Sequence, residues 1–172
     1  VYKHPFKDEE VVVRRWPGRI SGGRDNSVRR THQRETGMQW LALDIGGANL
    51  KVADGLGHAE SFPFEIWREP DHLTQELRTL IAQAPNCDHL AVTMTGELAD
   101  CFETKAAGVT FILDALHRAA DGRHTRVYLS DGSLVTPQVA KSRPASVAAA
   151  NWHVLARFAT RFTNRQPSLL ID

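Results

Sequence analysis

The spacing of apolar residues changes character near Met38. Before it, Val11-Val12-Val13 is the sole apolar cluster, set among Arg14-Arg15, Ser21-Gly22-Gly23 and Arg29-Arg30. Such a stretch buries too little apolar surface to offset its ordering entropy, so residues 1–37 are expected to form a disordered tail. After Met38 the runs become regular. Trp40–Asp44 and Leu50–Asp54 read as two strands joined by a tight Gly-Gly turn. Ala59–Ile66, with Phe62, Phe64 and Ile66 alternating, reads as a third strand completing a meander, and Pro63 assigns it to a sheet edge.

Helical spacing takes over at Leu73, Leu77, Leu80 and Ile81, behind Pro70-Asp71 with Asp71 as the expected cap and ahead of a stop at Pro85-Asn86. His89–Met94 is a short apolar strand. Lys105–Ala120 reads as a helix with Val109, Ile112, Leu113 and Leu116 on one face, ended by Asp121-Gly122. Arg126–Leu129 and Ser133–Thr136 read as strands on either side of an Asp131-Gly132 turn. Ser146 is expected to cap a helix running from Val147 to about Arg161 through Ala148-Ala149-Ala150, and Trp152 in that helix is expected to be core. Ser168–Asp172 starts a last strand. A meander followed by strands alternating with helices predicts a mixed α/β sheet.

Length and composition narrow the picture. The chain has 172 residues, 42% apolar and 24% charged, a profile for one soluble domain or one lobe of a two-lobed protein. Its net charge of +1 conceals a split. Residues 1–37 hold nine Lys/Arg against five Asp/Glu, and the remainder holds 12 against 15. The tail alone could thus serve as a nucleic-acid arm or a targeting peptide. A third reading is that translation starts at Met38, because Val1 is not a usual first residue. The charge balance of the remainder gives no nucleic-acid footprint, and no membrane is expected as a partner, since no apolar run nears the roughly 20 residues a span requires. Two cysteines, Cys87 and Cys101, form no dense framework and point to a reducing, cytoplasmic setting. Cys101 reads as a small buried hydrophobe. The eight histidines show no paired metal-ligand spacing.

Candidate chemistry gathers at Leu43-Asp44-Ile45-Gly46-Gly47-Ala48-Asn49-Leu50-Lys51. Gly46 and Gly47 would let the backbone take positive φ and approach a ligand, with successive amides forming an anion-binding concavity. Lys51 adds a mobile positive charge, and Asp44 can hold a metal ion or orient a water. The same residues would also serve an ordinary hairpin. Thr95, Glu97 and Asp100 follow a strand that should end beside this turn, where ligands of open α/β sheets lie. Glu97 can act as a general base toward a hydroxyl or cap the helix that follows. Asp131 can bind metal or substrate, or simply form an Asp-Gly turn.

The Asp44–Lys51 stretch, together with Thr93-Met94-Thr95-Gly96-Glu97-Leu98-Ala99-Asp100-Cys101-Phe102, Lys105, Gly108-Val109 and Asn151-Trp152, resembles the hydantoinase/oxoprolinase-like group of the actin/sugar-kinase/Hsp70 superfamily. The likeness covers most of Met38–Asp172 and is closest to that group's methanofuran-precursor synthases. It implies a ribonuclease-H-like sheet forming the first lobe (residues 38–167) of an actin-like two-lobed fold. Asp44, Gly46, Gly47, Asn49 and Lys51 would hold a diphosphate or triphosphate with Mg²⁺. Leu169-Leu170-Ile171-Asp172 would open a truncated second lobe, with Asp172 a second metal-binding carboxylate. The implied reaction joins the phenol of γ-glutamyltyramine to an aminomethylfuran methyl diphosphate, with Glu97, Thr95 and Asp131 as catalytic candidates. An ATP-dependent amide hydrolase or small-molecule kinase is the alternative. One lobe by itself is expected to be inactive, and to pair with the missing lobe or with a second copy.

Overall fold

The computed structural model describes residues 39–84 and 87–162. The basic tail, Met38, the Pro85-Asn86 stop and the Ser168–Asp172 strand, including Asp172, lie outside the described residues.

Six strands form one mixed sheet in the order β3-β2-β1-β4-β5-β6. β1 (Trp40–Ile45) pairs antiparallel with β2 (Asn49–Ala53), and β2 pairs antiparallel with β3 (Ala59–Pro63). β1 also lies parallel to β4 (His89–Met94), which lies parallel to β5 (His124–Tyr128). The short β6 (Leu134–Val135) closes the far edge antiparallel to β5. The meander is as expected, and Pro63 ends an edge strand, where its missing N–H breaks no ladder.

Alternation of side chains sorts the sheet into two faces. Leu41, Leu43, Ile45, Leu90, Val92 and Met94 point to one face and are buried. That face is covered by α1 (Leu73–Gln83) and α2 (Lys105–Ala119), which pack against each other. The helical positions Leu73, Leu77, Leu80 and Ile81 are buried, as their spacing requires. Asp71 does not cap α1. It falls inside a 3₁₀ turn, Pro70–His72, and no side chain caps either element. For α2 the cap is Thr104, whose side chain accepts the Ala107 amide at 3.1 Å.

The expected long helix after Ser146 is broken. Ser146 lies inside a one-turn helix, α4 (Pro144–Val147), which follows α3 (Pro137–Ser142). Ala148 is extended, Ala149 sits at φ 52° and ψ 26° in the left-handed region, and only then does α5 (Ala150–Ala159) begin. Helix propensity favours an unbroken alanine run. The break instead follows a tertiary hydrogen bond to the Ala149 amide.

Candidate functional site

The second face of the sheet is unlike the first. In register across β2, β1 and β4 it presents Ala53, Ala42 and Ala91, and one pleat further Lys51, Asp44 and Thr93. α5 stands over this face. Between them lies a cleft of about 830 Å³, floored by the alanines and walled by Leu98, Tyr128, Leu134, Trp152 and Leu155. Trp152 is therefore not core. It is 50% exposed, because α5 turns that side toward the cleft rather than toward a covering layer.

One end of the cleft is polar. Lys51 Nζ lies 3.2 Å from Asp44 Oδ2, with both side chains on the cleft wall. Asp44 Oδ1, Thr93 Oγ1 and Asn151 Oδ1 are buried oxygens with no hydrogen-bond partner. Asp44 and Thr93 are neighbours on the sheet and Asn151 is on the same cleft lining, so a cation, water or donor-bearing ligand in the cleft could complete these oxygens. Among the described residues no three His, Cys, Asp or Glu side chains converge to cage a metal. A magnesium ion would therefore rest on Asp44, and phosphate oxygens and water would supply its other ligands.

The Gly-Gly turn borders this end. Neither Gly46 nor Gly47 has positive φ, contrary to the expectation from sequence. The turn is held by other means. The Gly46 amide donates to Asn49 O at 2.9 Å, and the carbonyls of Gly47 and Ala48 accept from Ile66 and Phe64 at 3.0 and 2.9 Å. The carbonyls are thus tied down from behind, while the Gly47 and Ala48 amides make no backbone hydrogen bond. A Cβ added at Gly46 would lie 2.8 Å from Asn49 O, so the turn itself demands that glycine. At Gly47 an added Cβ meets nothing within 4 Å, so neither packing nor backbone conformation explains it. The exposed Asn49 starts β2 at the end of the turn.

Thr95 lines the cleft and is anchored by its amide to Ile45 O at 3.0 Å. Glu97 is not on the lining. It is 1% exposed, and its Oε1 accepts the Ala149 amide at 2.8 Å while Oε2 has no partner. Burial pushes its carboxyl above the usual range. The helix start it satisfies is α5, 52 residues on, rather than the helix that follows it. Its backbone is held equally tightly, since a Cβ on Gly108 of α2 would come within 2.8 Å of Glu97 Cα and O.

Asp131 is not on the cleft lining. It accepts from Ser133 N at 2.9 Å and from the Ser133 hydroxyl, and pairs with Arg143 Nη2 at 2.9 Å. The Ser133 bonds, with Arg143 beside them, lower its carboxyl to about 2. Cys101, expected to be buried, is exposed at the turn before α2, with Sγ 3.7 Å from Ile66 O. The structure therefore gathers Asp44, Lys51 and Thr95, with the Gly46-Gly47 turn beside them, and sets Glu97 and Asp131 apart. Sequence reasoning gave no site role to Thr93, Tyr128 or Asn151, although Thr93 and Asn151 lie in the stretches that carry the resemblance. Thr93 was detectable as the β4 partner of Asp44 once parallel pairing was assumed, whereas Asn151 depends on a helix break with no local signal.

No family model matches the chain. It is 35% identical over 139 residues, 77% of its own length, to (4-{4-[2-(γ-L-glutamylamino)ethyl]phenoxymethyl}furan-2-yl)methanamine synthase of Methanocaldococcus jannaschii. The chain spans 39% of that protein's length. Among the described residues no helix is long and apolar enough to cross a membrane.

Proposed function

We propose that this chain carries the diphosphate-binding part of a transferase that forms an aryl ether, of the kind named by the product of the similar synthase. The Gly47 and Ala48 amides carry this reading: two donors without a backbone partner, in the turn that joins Asp44 to Lys51, whose side chains line the cleft. Two unpaired amides and an ammonium group suit an anion. The apolar remainder suits the flat rings of a substrate ester.

In the proposed reaction a phenolic oxygen attacks a methylene carbon. The carbon–oxygen bond to the diphosphate breaks, and the electron pair leaves with the diphosphate. Donors fixed in advance at the leaving oxygens stabilise the charge that develops there. Lys51 and the two amides hold the leaving group, and Thr95 lines the wall beside it. Mg²⁺ bound at the free oxygen of Asp44 would supply further neutralisation of the diphosphate.

Titrating the chain with pyrophosphate, with and without magnesium, by calorimetry and phosphorus NMR tests the reading. Saturable binding that magnesium tightens, with amide shifts at Gly47 and Ala48, is expected. Absence of binding, or shifts confined to other loops, refutes it. Tighter binding of ATP than of pyrophosphate would favour a nucleotide-dependent reaction at the same turn.

A further inference from the structure

The proposed transfer releases a phenolic proton, and the carboxylates considered above are engaged elsewhere. Asp44 faces Lys51, Glu97 is buried behind the lining with one oxygen on the Ala149 amide, and Asp131 is bound within its own turn. Further along the same row of the sheet, the lining holds another group able to relay a proton. Tyr128 lines the wall, and its hydroxyl lies 2.9 Å from His153 Nδ1 on α5. The rings are 5.8 Å apart and tilted by 32°.

Pairing of Val92 with Val127 sets Tyr128 level with Thr93, which itself pairs with Asp44. Two strand spacings then separate Tyr128 from the diphosphate end, about 10 Å across the floor. One flat ring esterified to the diphosphate spans much of that gap. A second ring placed against Tyr128 brings its hydroxyl toward the carbon being attacked.

We propose that Tyr128 and His153 form a proton-accepting pair for the hydroxyl of a phenolic substrate. The proposal rests on the transfer reaction above. With His153 neutral and protonated on Nε2, the Tyr128 hydroxyl donates to Nδ1. The substrate phenol gives its proton to the Tyr128 oxygen as the Tyr128 proton passes to Nδ1. The substrate oxygen forms its bond to carbon as the diphosphate departs. The imidazolium then loses its Nε2 proton to solvent, since Nε2 has no hydrogen-bond partner among the described residues. Once the product leaves, Nε2 takes up a proton and the Nδ1 proton passes through Tyr128 to solvent, which restores the starting tautomer. Tyr128 is the group that touches substrate, and His153 acts through it. Arg157, one turn along α5, is the charged side chain beside His153, the two flanking Gly132.

The test uses 4-nitrophenol, whose phenolate alone is strongly coloured. At a pH one unit below its own pKa, roughly a tenth of the free probe is ionised. Bound to the chain, more than about half should be phenolate, a fivefold or greater enrichment. Tyr128→Phe, which removes one oxygen, and His153→Gln should each return the bound fraction to that of free probe. No binding, bound probe that stays neutral, or variants that keep the phenolate overturns the pair. Parallel pyrophosphate titrations separate the two ideas. Phenolate enrichment without pyrophosphate binding keeps the pair and removes the diphosphate reading, and the converse result does the opposite.

Discussion

Replacing Glu97 by alanine should destabilise the fold and straighten the chain at Ala149. The left-handed conformation of Ala149 costs about 1–2 kcal/mol relative to a helical one. It is held by the Ala149 amide bonded at 2.8 Å to Glu97 Oε1, an interaction of about 1.5–3 kcal/mol when a charged group takes part. The two magnitudes are close, so the break survives only while the acceptor is present. Removing it leaves a partly buried amide unsatisfied and withdraws one buried methylene, about 0.8 kcal/mol. Loss of the unpartnered Oε2 returns about 1 kcal/mol. The expected net loss is about 2 kcal/mol, or about 4–8 °C in melting temperature for a chain of this length. Denaturant unfolding with far-ultraviolet dichroism measures both effects, because α4 and α5 should merge and raise helicity. Glu97→Gln keeps the acceptor and should retain the wild-type dichroism. It also removes a pH effect. Burial raises the folded carboxyl above its unfolded value, so the stability it contributes is present in acid and lost as pH rises through the folded value. The advantage of the glutamine variant should therefore widen from acid toward neutral pH. A Glu97→Ala protein within about 0.5 kcal/mol of wild type, with unchanged helicity, refutes this account.

Gly46→Ala forces a Cβ against Asn49 O and should cost about 1–3 kcal/mol in unfolding experiments as well as pyrophosphate binding. Gly47→Ala meets open space, so its stability should stay within about 0.5 kcal/mol of wild type while pyrophosphate binding falls by calorimetry. Lys51→Met removes an exposed ion pair and should leave the melting temperature nearly unchanged, while weakening pyrophosphate binding and flattening its salt dependence. Asp131 is held near 2 by Ser133 and Arg143, so the stability it contributes is present above its unfolded value and lost as pH falls toward 2. An Asp131→Asn protein should lack that acid-side loss in a pH-dependent melting series.

The meander, the helical faces of α1 and α2 and the Asp44–Lys51 turn were legible in the sequence because local rules govern each. Period-two and period-3.6 patterns, a proline at an edge and a Gly-Gly pair between apolar runs act over a few residues. Even so, the reason for the glycines was misassigned: Gly46 answers to a nearby carbonyl rather than to positive φ. Where sequence reasoning failed, the deciding partner lies far along the chain. Glu97 reaches 52 residues forward to end one helix and begin another, and that break turns Trp152 toward a cleft instead of a core. Tyr128 meets His153 across 25 residues for the same reason. Propensity is a sum of small local preferences of a few tenths of a kcal/mol, and one buried hydrogen bond outweighs several of them. The sequence by itself therefore determined the strands and the Gly-Gly turn between Asp44 and Lys51, while only the tertiary structure decided which side chains face the cleft.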